Sequence, residues 1–93
     1  MRVKEKHLFI SGHVQAVGFR HYTKVNAKEL DVKGWVRNLS DGRVEVLLQG
    51  DESDLNTMIS RLKKGPRAAV VEDLTVDRES EADDLHNTFF VKR

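Results

Sequence analysis

The stretch HLFISGHVQAVGFRHYTKVNAKEL, residues 7–30, changes its hydrophobic period halfway, and that change decides the fold. His7 to Gly12 alternate and are rich in Leu, Phe and Ile, which predicts a first strand ending at the glycine. From Phe19 onward, Phe19, Thr23, Ala27 and Leu30 recur at intervals of three and four, as one face of a helix does. Between them lies GHVQAVGFR, residues 12–20, with two glycines, no acidic residue and a terminal arginine. Glycine serves where a backbone turns sharply or lets a ligand come close. A loop that opens a helix also offers unpaired N–H groups to an anion. The loop therefore suggests a cradle for phosphate or carboxylate, set against the plain alternative of a strand-to-helix turn.

The same period test organises the rest of the chain. Lys33 to Asn38 form a short strand, Asp41-Gly42 signal a turn, and Arg43 to Gln49 form a second strand. In that strand Val44, Val46 and Leu48 face one side, with Glu45 and Gln49 on the other, so the pair predicts an antiparallel hairpin. Leu55, Met58, Ile59 and Leu62 follow helical spacing, with Asp51, Glu52 and Asp54 at the start and Lys63 and Lys64 at the end. These charges complement the helix dipole, and Gly65-Pro66 ends the helix. Ala69 to Asp77 form a strand whose broken alternation predicts a bulge. An acidic loop from Glu79 to Asp84 follows, and Phe89 to Lys92 add a final short strand. The order predicts an α+β, ferredoxin-like (βαββαβ) two-layer sandwich, an antiparallel sheet with two helices on one face. A single domain over residues 1–93 is expected.

Composition narrows the function classes. Sixteen Lys and Arg against fifteen Asp and Glu leave a net charge of +1, too balanced to argue for a nucleic-acid or acidic-lipid surface. The absence of cysteine excludes disulfides, thiolate nucleophiles and Cys-based metal sites. No apolar run reaches the length of a membrane helix, and the apolar core of MRVKEKHLFISGH is too short for a signal peptide. A soluble cytoplasmic protein with no membrane partner is the expectation.

His7, His13, His21 and His86 lack metal-ligand spacing, and no serine sits in a GxSxG elbow. An RNA-binding reading of the same topology fails on the absence of the aromatic signature of such domains, and Trp35 reads as a core residue. The anion cradle gains from a second stretch, GWVRNLSDGRVEVLLQG at residues 34–50, which places Asn38 at a strand end beside the hairpin turn. If the central strands lie side by side, Asn38 comes near the 12–20 loop. Arginine holds two phosphate oxygens at once and stays charged at any working pH. Backbone donors add field at no reorganisation cost. With no tuned acid or base evident, the chemistry that fits is water attacking a phosphate with a good leaving group, Asn38 accepting from that water.

At this point the residues resemble the acylphosphatase family. GHVQAVGFR is similar to that family's GxVQGVxFR signature, and residues 34–50 are similar to its second signature at every fixed position. The resemblance implies an enzyme that hydrolyses the carboxyl–phosphate bond of small-molecule acylphosphates, with no metal or organic cofactor. It implies that Arg20 and the loop amides of Gln15, Ala16, Val17, Gly18 and Phe19 bind the phosphate, and that Asn38 orients the attacking water. It further implies a monomer. One position departs: Ala16 stands where the family has glycine, which costs about 1–2 kcal/mol if the backbone there adopts positive φ. The runner-up reading is a non-catalytic ferredoxin-like module that binds a phosphate-bearing ligand or a protein.

Overall fold

Strand β1 (Lys4–His13) is flanked on both sides, by β3 (Val44–Gly50) and by β4 (Val70–Glu81), in the computed structural model, which describes residues 3–93. The first two residues of the expected 1–93 span lie outside the described residues. Helix α1 (Phe19–Glu29), β2 (Lys33–Asn38), α2 (Glu52–Lys64) and β5 (Phe89–Val91) complete the chain. The sheet order is β4-β1-β3-β2-β5. This is the ferredoxin-like order with one added strand. Every pairing is antiparallel except that of β2 with β5. The sequence led to a wholly antiparallel sheet, but after β4 the chain crosses the sheet end, where Gln49 bonds the Asp84 carbonyl and the His86 N–H. It thus enters β5 beside the start of β2 and runs the same way.

Alternation in β1 sends Leu8 and Ile10 into full burial beneath the helices. There they meet Val36 from β2, Val44, Val46 and Leu48 from β3, and Phe89 from β5. Helix α1 contributes Phe19 and Ala27 to this core, and α2 contributes Leu55, Met58 and Leu62. Each of these side chains other than Ala27 stabilises by about 1.5–3 kcal/mol relative to exposure. The Tyr22 hydroxyl donates to the Arg61 carbonyl at 2.8 Å, tying α1 to α2. Among the described residues no helix is long and apolar enough to cross a membrane.

The opposite sheet face mixes apolar side chains, Phe9 and Leu47, with paired polar ones. Glu45, which faces away from the helices, is nonetheless buried, bonded to His7 Nε2 at 2.6 Å and accepting from the Arg37 guanidinium. Burial works against its charge, yet those hydrogen bonds outweigh it and hold its carboxyl below the usual glutamate value. Trp35 belongs to this face and not to the core. Its half-buried ring lies 5.4 Å from the Arg37 guanidinium carbon and 4.4 Å from the Lys92 ammonium, because alternation from Val36 turns it outward.

Strand β4 is longer than its apolar pattern suggests, so Glu79 to Glu81, expected in a loop, lie in the strand. Its outer edge is unpaired and most of its side chains are solvated, which hides a strand from hydrophobic alternation. The expected bulge is present, and there are two: register slips opposite His7/Leu8 and opposite Ser11/Gly12.

Candidate active site

The 13–20 segment leaves the end of β1 and enters α1 through two residues of left-handed backbone, Ala16 at φ 60 and Gly18 at φ 77. Gly18 is the N-cap of α1, no side chain caps the helix, and the first turn holds no acidic residue. Among the described residues, no acceptor engages the backbone N–H groups of residues 15–21. A helix start in that condition presents a concave set of donors with positive field.

Ala16 therefore does occupy the conformation that its Cβ disfavours. We expect Ala16→Gly to stabilise the protein by about 0.5–1 kcal/mol, the relief of strain exceeding the added entropy of the unfolded chain. Thermal melting should rise by about 2–8 °C. Phosphate affinity or turnover should shift modestly, and melting and kinetics identical to the parent would show that the position is unconstrained.

Asn38 reaches the same place by a route other than neighbouring strands. β3 lies between β1 and β2, and because both pair antiparallel with it, their C-terminal ends emerge at one end of the sheet. Gln15 then spans the gap: its side-chain amide donates to the Leu39 carbonyl at 2.7 Å and the Arg43 carbonyl at 2.9 Å. The loop is thus stapled to the hairpin turn directly after Asn38. The turn is itself closed by Leu39 N–H to the Arg43 carbonyl and by Asp41, whose carboxylate accepts from the Arg43 backbone and guanidinium. Those bonds lower the Asp41 pKa.

An open cleft of about 430 Å³ lies between these elements, walled by Ala16, Gly18, Phe19, Arg20 and Asn38. The Arg20 guanidinium has no partner among the described residues. The Asn38 Oδ1 is buried without a hydrogen-bond partner, a state that a protein interior rarely leaves uncompensated. Gln15 and Val17 are not on the cleft wall: the Gln15 side chain is used in the staple, and Val17 packs against the core. Any part they take in binding is through the backbone.

A family model for Acylphosphatase matches residues 6–91. The chain belongs to the acylphosphatase family. It is 49% identical over 79 residues to an acylphosphatase of Chloroflexus aurantiacus, covering 85% of this chain and 86% of that one. It is 47% identical over 79 residues to one from Syntrophotalea carbinolica, covering 85% of this chain and 83% of the relative. The crystal structure of acylphosphatase from Bacillus subtilis superposes with a TM-score of 0.87 at 32% identity, over 97% of this chain and 99% of that one.

Within this acylphosphatase cleft, the structure also places residues that sequence reasoning passed over. Val14, His21, Lys24, Val91 and Arg93 line the wall. His13 is exposed and off the wall. Lys24 was within reach, since it lies four residues after Arg20 and thus on the same helix face. Val91 and Arg93 arrive by the β5 crossover, for which the local sequence carries no signal.

Proposed function

We propose that this chain, whose relatives are named acylphosphatase, is an enzyme that hydrolyses acylphosphates to a carboxylate and inorganic phosphate. The observation that carries the reading is the buried, unpartnered Asn38 Oδ1 in the same cleft as an unpaired arginine and free loop amides. Arg20 binds two phosphoryl oxygens, and the amides of residues 15–19 surround the third. Asn38 Oδ1 accepts one proton of a water molecule and aims the water oxygen at phosphorus. The new P–O bond forms as the bond from phosphorus to the acyl oxygen breaks, and the electron pair leaves on the carboxylate. A carboxylic acid has a pKa of about 4, so this leaving group departs unprotonated and the site needs no general acid. The proton shed by the water ends on the phosphate product or in solvent. Positioning and preorganised field supply the catalysis.

The chain works in this reading as one domain over residues 1–93, a cytoplasmic monomer acting on a small molecule without cofactor, nucleic acid or membrane. Purified protein should hydrolyse benzoyl phosphate, with inorganic phosphate inhibiting competitively and EDTA without effect. An EDTA-sensitive rate would show a required metal. Phosphate binding without turnover would leave a binding module in place of an enzyme.

A further inference from the structure

The titratable residues that line the cleft are Arg20, His21, Lys24 and Arg93; no Asp or Glu is among them. Composition does not produce this, since acids and bases nearly balance over the chain. Several cations elsewhere are paired with carboxylates: Lys6 with Glu52 and Glu79, Arg37 with Glu45, Arg43 with Asp41, Arg61 with Glu29. Lys24 and Arg93 have no partner among the described residues, and they share one concave wall with Arg20 and no carboxylate. Three fixed cations on one cleft repel one another until an anion enters. A phosphoryl group of charge about −2 at Arg20 leaves a surplus of positive charge on the wall.

The surplus has a direction. Lys24 stands one helical turn beyond Arg20, with side-chain origins about 5–6 Å apart, and Arg93 lies two residues past Val91, the end of β5, which packs against α1. We infer that Lys24 and Arg93 form a second anion subsite, and that the favoured substrates are acylphosphates whose acyl part carries an anionic group of its own. This rests on the acylphosphatase reading of the cleft. The phosphoryl group lies at Arg20, a short acyl chain runs past Val91, and the distal anion meets Lys24 and Arg93.

The test compares two acylphosphates of equal chain length: that of butanedioic acid, which ends in a free carboxylate, and butanoyl phosphate, which ends in a methyl group. The parent should favour the carboxylate-bearing substrate about three- to tenfold in kcat/KM, mostly through KM, with the preference shrinking as salt rises. Lys24→Met and Arg93→Met should each lower that ratio about two- to fivefold, the double variant should bring it to about one, and Lys24→Arg should preserve it. A parent ratio at or below one overturns the inference. So does a variant that slows both substrates equally, which would assign Lys24 to the common phosphoryl group. A parent that hydrolyses neither compound refutes the acylphosphatase reading itself.

Discussion

Arg20→Ala and Asn38→Ala should each slow benzoyl phosphate hydrolysis by about a hundred- to a thousandfold, the scale of losing one preorganised group at a developing charge. They fail in different ways. Without Arg20 the cleft would lose the fork proposed to grip two phosphoryl oxygens, so KM should rise and competitive inhibition by inorganic phosphate should weaken sharply. Arg20→Lys restores charge but not the paired geometry and recovers only part of the loss. Without Asn38 the proposed phosphate site would keep its guanidinium and amides, so phosphate should still inhibit while kcat collapses. Asn38→Ala also removes a buried acceptor that has no partner among the described residues, so melting should hold or rise slightly. An Asn38→Ala variant with unchanged kcat would end its role at the water. An Arg20→Ala variant still inhibited normally by phosphate would place the phosphate elsewhere.

That Arg20 and Asn38 come to one cleft was legible in sequence because each sits in a locally coded frame. The period switch between Ile10 and Phe19 marks where β1 ends and α1 begins, and a glycine-bearing loop with a terminal arginine at that junction is informative by itself. The bounds Lys33 to Asn38 for β2 match the structure because Asp41-Gly42 fixes the turn that follows. Residues whose state depends on distant chain were hidden. Glu45 and Gln49 look like solvent-facing members of an alternating strand, yet they are buried because β1 and β2 flank β3 and supply His7, Glu5 and Arg37 as partners. Trp35 reads as core by size and is turned outward by parity with Val36. The parallel seat of β5 and the delivery of Arg93 to the cleft follow from a crossover with no local signature.

Gly34→Ala should be the most destabilising small substitution among the motif glycines of the β2–β3 hairpin, Gly34, Gly42 and Gly50. Gly34 has φ 130 and pairs with Leu48 on one side and Phe89 on the other, and a Cβ there falls 1.9 Å from the Leu47 carbonyl oxygen. Backbone cannot swing aside as a long side chain can, so β2 must separate from β3 or unwind locally. The cost combines a forbidden φ with a broken ladder, about 3 kcal/mol or more, which lowers the melting temperature by about 12–24 °C. Gly50→Ala is the contrast: its φ is ordinary and its Cβ meets Leu55 Cδ2 at 3.5 Å, an ordinary contact, so melting should barely move. A Gly34→Ala protein that melts with the parent would show that β2 shifts freely. Such freedom would also undermine Asn38, which shares that strand and whose place in the cleft depends on β2 holding its register against β3.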